Sequence, residues 1–367
     1  MMIPALANMD DARYYVPMHG FENALYRSVV LARDGDDRVP FDRLPLTPPA
    51  AERALGRDFL VVPEAGLAAL AERAFCDMQF MLRPSLIGEL AAVAYAPGSD
   101  ERDRYVARTL LENARTSAEG IFPVCQDTGT AAAYGWKGDR VFVGDTGRDR
   151  VEGSPVDGAP DDGEPDDGDI LERGALAAWR RKRLRNSQVM PLPDFGERNT
   201  GTNAPLLSHI VPVRGEEYRF LFIAKGGGSS NKTALFQETK GLLKPDAFKS
   251  FVESAIASIG VSACPPYRIA VALGGQSPEE AALAGKMASA GALDGLPLEP
   301  EEGGGVYRDR ALEAVVMDAA ARSGWGAQFG GRFMARDARV VRLPRHAASL
   351  PVRSEEHTSE LQSRQVI

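Results

Sequence analysis

Apolar residues recur at helical spacing through the first half of the chain. In GLAALAERAFCDMQFMLR, the positions Leu67, Leu70, Ala74 and Met78 follow one another at steps of three or four. This spacing places them on one face of a helix. A proline interrupts the pattern, and the segments SLIGELAAVAYA and ERDRYVARTLLENARTSAE predict two further helices.

Short apolar runs between turn residues appear in the second half. LLSHIVPV and YRFLFIAK flank the turn RGEE and predict two strands, RIAVALGG predicts a buried strand, and ARVVRL predicts a late one. Helices are expected over DILERGALAAWRRKRLR and over residues 245–259, 278–290 and 308–323. The prediction is therefore an α+β (mixed α/β) fold, with a helical N-terminal part followed by a mixed-sheet core.

Composition divides the chain into a folded body and flanking segments. Residues 1–60 are rich in proline and predict an irregular extension, whereas residues 61–352 predict the folded body. An acidic insertion, expected to be disordered, interrupts the body at 147–168. Residues 353–367 lack apolar periodicity, and RSEEHTSELQS resembles translated sequencing-adapter DNA, so this tail is predicted to be non-native.

Charge and cysteine content exclude several classes of protein. The formal net charge of −8 equals the eight acids of residues 151–169, which contain no lysine or arginine, so the remaining charges sum to zero. The body therefore has no basic field typical of nucleic-acid binding. The three cysteines are too few and too far apart for a disulfide framework, which fits a reducing cytoplasm. We expect no membrane-spanning or secretory segment.

The segment PVCQDTGTA places a metal-binding thiol among polar groups. Cys125 is a soft ligand, Asp127 could act as a base or orient one, and Gln126 and Thr128 could bind a carboxylate. A polar turn after a strand is the alternative interpretation.

A glycine-rich segment follows the predicted strand YRFLFIAK. From Gly226 to Thr233 it nearly matches the phosphate-loop pattern, but Asn231 stands where the second glycine is required. No later strand ends in an aspartate that would hold Mg²⁺. A nucleotide site is therefore disfavoured, while binding of a dicarboxylate by the loop amides, Lys225 and Lys232 remains open.

Two further segments have candidate ligands. In ACPPY, two prolines fix the chain after Cys264, although a simple buried cysteine is the alternative. Residues 326–349 are rich in arginine and contain His346. Arginine side chains suit dicarboxylates, and a solvated basic face is an equally good explanation.

Taken together, these segments resemble one enzyme family. The following motifs occur in order: CQDTGTA, LRNSQ, NTGTNAP, FIAKGGGSSNKT, QETKGLL, ACPPY, GGQSPE, GAQFGGRF and RVVRLPRH. The set is similar to the class I, iron–sulfur-dependent fumarate hydratases, from about Leu67 to about Val352. The length before CQDTG resembles the single-chain enzymes. The resemblance implies the N-terminal (α-subunit-like) catalytic domain, with the C-terminal (β-subunit-like) domain lacking.

The resemblance implies a [4Fe-4S] cluster held by three cysteines. Cys125 and Cys264 match two of them. The third family cysteine lies twelve positions beyond the histidine of PRH, where this chain has Thr358. Cys76 is not expected to replace it, because it lies within a predicted helix. Without the third ligand and the C-terminal domain, we expect this chain to hold its cluster poorly and to be inactive alone.

The resemblance also implies the substrate contacts. Asp127 would be catalytic, as the partner of a threonine base in the C-terminal domain. The implied substrate-binding residues, of which His346 is the weakest candidate, are Gln126, Asp127, Arg185, Gly228, Asn231, Lys232, Thr233, Gln237 and His346. The implied partners are malate and fumarate and a second copy of the chain in a homodimer.

Other functions remain open from the sequence. A tartrate or mesaconate-type dehydratase of the same family would share the chemistry. A nucleotide-binding module using Gly226–Thr233, or a cluster-free scaffold without catalysis, would be a different class of protein.

Overall fold

The computed structural model describes most of the chain after the N-terminal segment. The described residues are 44, 46, 48–144, 165–300, 302, 304–357 and 362–366. The α-helices, in chain order, are α1 (Glu64–Phe80), α2 (Pro84–Tyr95), α3 (Glu101–Ser117), α4 (Asp167–Lys182), α5 (Gly227–Ser230), α6 (Pro245–Ile259), α7 (Pro278–Ser289) and α8 (Arg310–Arg322). The strands are β1 (Ala50–Ala54), β2 (Arg57–Val62), β3 (Thr130–Gly138), β4 (Val141–Val143), β5 (Val189–Pro191), β6 (Glu197–Asn199), β7 (Leu207–Val213), β8 (Tyr218–Lys225), β9 (Ala234–Glu238), β10 (Tyr267–Gly275), β11 (Tyr307–Arg308), β12 (Ala335–Arg345), β13 (Leu350–His357) and β14 (Gln362–Val366).

Two sheets carry the architecture. Within the described ranges, one has the strand order β11-β12-β10-β13-β9 and the other β14-β8-β3-β7, while β1, β2 and β4 form a smaller sheet. Strand β10 is parallel to β12 and antiparallel to β13. The α+β class predicted from the sequence is confirmed.

Alternation of side chains along the strands connects the layers. In β8, Phe220 and Phe222 pack towards α1 and α4, where Phe222 contacts Phe75 edge to face at 5.4 Å between ring centroids. Leu221, from the opposite face, joins a core shared with Ala270 of β10. Because β10 has its other face against α6 and α8, all nine of its residues are buried. This explains its continuous apolar sequence.

Helices α1 and α4 cross at a glycine. A Cβ at Gly174 would lie 2.7 Å from the Cβ of Ala71 and closer still to the main-chain oxygen of Ala68. A larger residue would therefore force the helices apart.

The prediction that residues 1–60 form an irregular extension is wrong for the last part of this range. Ala50–Ala54 and Arg57–Val62 form an antiparallel hairpin. Residues 1–43 of the predicted extension lie outside the described residues.

The acidic insertion lies mostly outside the described ranges, but its end does not. Helix α4 begins at Asp167, and the Asp166 side chain accepts a hydrogen bond from the Asp169 amide in a capping box. The predicted boundary at 168 is therefore too late, because these acids cap a helix.

The predicted non-native tail partly continues the sheets. Strand β13 runs through to His357, and Gln362–Val366 pairs with β8. The foreign origin of this segment stays a prediction.

Candidate active site

Strand pairing brings two of the candidate segments together. Strand β3 follows the Cys125 turn, and β8 leads into the glycine-rich loop. The two strands are antiparallel, with Thr130 opposite Lys225. The start of β3 and the end of β8 therefore meet at one edge of the sheet, and so do the polar segments attached to them.

Asp127 connects the two segments directly. Its Oδ2 accepts a hydrogen bond from the Gly227 amide at 2.7 Å, and its Oδ1 accepts one from the Gly129 amide at 3.2 Å. The Asp127 amide donates to Cys125 Sγ at 3.3 Å. A Cβ at Gly226 would lie only 3.0 Å from the carboxylate, which explains a glycine there. The Gly227 amide is thus bound to the chain's own carboxylate, whereas the substrate contact implied by the resemblance is the neighbouring Gly228.

The Cys264 segment approaches the same loop from another side. A Cβ at Gly228 would lie 3.8 Å from Cα of Ala263 and 3.8 Å from the main-chain oxygen of Ser262. Neighbouring glycines of one loop therefore contact Asp127 and the residue before Cys264. Both cysteines are partly exposed. The structure thereby brings Cys125, Asp127, Gly228 and Cys264 around one short segment.

Side chains from α1 and α4 fix the main chain after Asp127. Gln79 Nε2 donates to the main-chain oxygen of Thr128 at 2.8 Å. The Thr128 hydroxyl in turn donates to the main-chain oxygen of Arg185 at 2.6 Å. Trp179 Nε1 donates to the same Arg185 oxygen at 3.3 Å. The Arg185 main chain is thereby held beside the Cys125 turn, and its side chain is exposed. Gln126 is exposed on the same turn.

Two amides complete this network. Asn203 Nδ2 donates to the Gly129 oxygen at 3.0 Å, and Gln188 Nε2 donates to the Thr130 hydroxyl at 2.6 Å. Sequence reasoning gave neither residue a role. The signal was their position in the motifs LRNSQ and NTGTNAP, which follow CQDTGTA.

The residues after the glycines lead away from the loop. The Asn231 amide closes the single turn of α5 on the Gly227 oxygen at 3.0 Å, and the Thr233 hydroxyl donates to the Ser230 oxygen at 2.7 Å. Lys232 is partly buried between them. Gln237 is exposed in β9, opposite Pro351 of β13.

The fold places two predicted site residues, Gln237 and His346, at the end of the sheet remote from Cys264. Gln237 is opposite Pro351, and the next residue, Val352, is opposite Leu273 near the C-terminal end of β10. His346 lies at the same end. It follows β12, whose Arg345 is opposite Gly275, whereas Cys264 precedes the other end of β10. At about 3.3 Å per residue, the length of β10 separates these ends by about 25 Å. His346 Nδ1 accepts a hydrogen bond from the Ala348 amide at 3.2 Å. A shared contact with substrate beside Cys264 is not supported within one chain.

The end of β13 lies against the glycine-rich loop. Lys225 Nζ donates to the main-chain oxygen of Glu356 at 3.2 Å. The same ammonium forms a salt bridge with the Glu355 carboxylate at 2.5 Å. The Ser229 hydroxyl donates to the same main-chain oxygen of Glu356 at 3.1 Å. The Glu356 side chain is fully buried, and neither carboxylate oxygen has a hydrogen-bonding partner among the described residues. Burial raises the pKa of this carboxyl to about 7, with Lys225 opposing the effect.

The thiols fit two positions of a cluster site. An amide hydrogen bond to Cys125 Sγ is the kind of contact that tunes iron–sulfur centres. Among the described residues, no group of three or more His, Cys, Asp and Glu side chains is arranged to hold a metal ion. The position predicted for the third ligand, Thr358, lies outside the described part of the chain. Cys76 is buried in α1, and burial raises the pKa of its thiol, which disfavours a role as ligand.

No helix in the described residues is both long and apolar enough to span a membrane.

Comparison with known proteins identifies relatives of this arrangement. The sequence profile described as Fumarate hydratase (Fumerase) matches residues 68–354. Fumarate hydratase class I, anaerobic, of Escherichia coli strain K12 is 43% identical over 297 residues, covering 81% of this chain and 50% of the relative. Fumarate hydratase 2 of Leishmania major is 42% identical over 297 residues, covering 81% and 49%.

A more distant relative carries a different name. The putative L(+)-tartrate dehydratase subunit alpha of Methanocaldococcus jannaschii is 26% identical over 269 residues, covering 71% of this chain and 82% of the relative. The chain spans about half the length of the fumarate hydratases it matches. The profile match over most of the chain and the identity to these enzymes agree with the motif order, and the chain belongs to the class I fumarate hydratase family.

Proposed function

We propose that this chain forms the cluster-binding half of a hydro-lyase that interconverts fumarate and (S)-malate. The observation that carries the proposal is the contact of Asp127 with the loop that also touches the Cys264 segment. The names of the relatives, which are fumarate hydratases at 40% identity or more over about four fifths of this chain, support the same reaction.

Cys125 and Cys264 would hold a [4Fe-4S] cluster together with a third thiolate. When bound, such a cluster supplies a Lewis-acidic iron for the hydroxyl and one carboxylate of malate. The chain has Thr358 where the family would place the third cysteine, so we expect incomplete cluster binding and little or no turnover by these 367 residues alone.

The chain's own residues would bind and orient the substrate. The exposed Arg185 guanidinium, whose main chain is fixed beside the Cys125 turn, would pair with a carboxylate of the dicarboxylate. Gln126 would donate a hydrogen bond from the same turn. Each carboxylate oxygen of Asp127 accepts a hydrogen bond from one glycine amide, so Asp127 would hold the Cys125 turn and the glycine-rich loop at a fixed distance from each other. Lys232 and Thr233 would contribute from the end of the loop.

Turnover tests the substrate class. With a protein of the relatives' full length, we expect dehydration of malate in preference to tartrate.

Arg185→Gln should raise the KM for malate about tenfold or more, because a charge-assisted pair to the carboxylate is lost. The matched control is Arg180→Gln, an exposed arginine of α4, which should leave kcat and KM unchanged.

A preference for tartrate would assign the chain to the chemistry named for the Methanocaldococcus relative instead. An unchanged KM in Arg185→Gln would remove Arg185 from the substrate site. We also propose that the protein is cytoplasmic and forms a homodimer. A molecular mass in solution equal to that of one subunit would contradict the homodimer.

A further inference from the structure

Cys264 adopts a backbone conformation that a cysteine does not favour. Its φ is 60°, in the left-handed region, and it stands before Pro265 and Pro266. A non-glycine residue there costs free energy on the order of 1 kcal/mol. The surroundings must therefore hold this residue in place.

Two hydrogen bonds secure the main chain on either side of Cys264. Before it, the Ala263 amide donates to the Tyr267 hydroxyl at 3.2 Å. After it, Arg336 Nη1 donates to the Pro266 oxygen at 2.6 Å. Tyr267 is fully buried and only 2% of the Arg336 side chain is exposed, so both donors and acceptors are shielded from water.

Arg336 is itself oriented by a carboxylate. Its Nε donates to Glu89 Oε2 at 2.7 Å, and Glu89 also accepts from Arg268 Nη2 at 2.9 Å. Burial raises the pKa of Glu89, but the two guanidinium groups outweigh it and hold the pKa below its usual value. Glu89 remains charged and fixes the guanidinium that reaches the Pro266 oxygen. Helix α2 is thereby coupled to the Cys264 segment.

We propose that Tyr267 and Arg336 are positioning residues for the Cys264 thiol, and that Glu89 orients Arg336 for this purpose. The role as a ligand position rests on the proposed function, whereas the restraint on the thiol does not. Sequence reasoning considered Arg336 only as one of several arginines and gave Tyr267 and Glu89 no role.

A purely structural role predicts a different pattern. Arg339 lies on the same strand, is largely buried and forms equally short hydrogen bonds to Asp294 and Asp337. Both carboxylates also pair with Arg268, so Arg339 belongs to the same ionic network, but its side-chain hydrogen bonds do not reach the main chain beside Cys264. Loss of Arg339 should lower global stability without loosening Cys264. It is therefore the matched control for Arg336, and Tyr267→Phe is the gentlest probe because it removes one oxygen.

The experiment measures thiol alkylation in the chain carrying Cys76→Ala. Iodoacetamide is added without reductant under nitrogen, and peptide mass spectrometry gives the rate at Cys264 relative to Cys125. A neutral hydrogen bond contributes about a factor of five to a local equilibrium. We expect Tyr267→Phe to raise the ratio about fivefold, Arg336→Gln to raise it at least as much, and Arg339→Gln to leave it within twofold.

The proposal is overturned if Tyr267→Phe leaves the ratio within twofold, or if Arg339→Gln raises it as much as Arg336→Gln. Urea unfolding of each variant shows whether a change is global. The outcome is separable from the proposed function, because the alkylation rate requires neither a cluster nor malate turnover.

Discussion

Asp127 shows how one side chain can organise the candidate site at the scale of a residue. Glycines let the loop approach closely, but they also leave its main chain weakly constrained. The carboxylate compensates by accepting from the Gly129 and Gly227 amides on two separate segments. The composition of CQDTGTA showed a possible base or ligand, but not this connection, because it depends on a strand pairing.

Replacing this carboxylate should cost stability. Asp127→Asn exchanges charge-assisted hydrogen bonds for weaker ones, and we expect the free energy of unfolding to fall by about 1–3 kcal/mol. The control is Asp139→Asn, whose carboxylate accepts from the Gly215 amide at 2.8 Å in an exposed turn and should cost less than about 1 kcal/mol. Urea unfolding measures both, and equal losses would contradict a special role for Asp127.

Glu356 predicts an unusual dependence of stability on pH. Its pKa is raised from 4.5 to about 7 in the folded chain, so between these values the folded state binds more protons than the unfolded state. Stability from this group is present below pH 4.5 and is lost as pH rises through 7, by about 3 kcal/mol.

Comparison of the wild type with Glu356→Gln isolates this contribution. The variant should be more stable than the wild type at pH 8 and should lose most of that advantage at pH 5, as measured by urea unfolding. An advantage independent of pH would show that the carboxyl is not buried as described.

At the scale of elements, periodicity was informative where one face is apolar. Helix α6 ends at Ile259, before Gly260, as its pattern predicts, because apolar positions at steps of three and four face one core. Strand β3 was not predicted. Its sequence TAAAYGWKG has small residues on both faces and two glycines, so it lacks an alternating signature, and its place in the sheet comes from pairing with β7 and β8.

The α1–α4 crossing provides a test at this scale. Gly174→Ala improves helix propensity but places a methyl group against α1, and we expect a net loss of about 1–3 kcal/mol. Gly88→Ala in α2 is the matched control, because nothing lies within 4 Å of its Cβ. This control should gain up to about 1 kcal/mol. Calorimetric or urea midpoints that shift in the same direction for both would contradict the close packing.

At the scale of the whole molecule, the motif order in the sequence predicted the family but not the site geometry. Cys125 and Cys264 precede strands of different sheets, β3 and β10, and only the tertiary fold places their segments against one loop. His346 was assigned from its motif, and the register of β10 with β12 then placed it at the opposite end of a long strand. Likewise, Glu89 of α2 acts on the Cys264 segment through Arg336, a connection that no local pattern reports.

The central claim is that Cys125 and Cys264 contribute to one iron site. Its most direct test is anaerobic reconstitution of the 367-residue chain with ferrous iron and sulfide, followed by desalting and determination of bound iron, sulfide and the visible spectrum. We predict partial incorporation by the wild type, loss of it in both Cys125→Ser and Cys264→Ser, and no change in Cys76→Ser. Retention of the wild-type amount by either of the first two variants, or its loss in Cys76→Ser, would contradict the account.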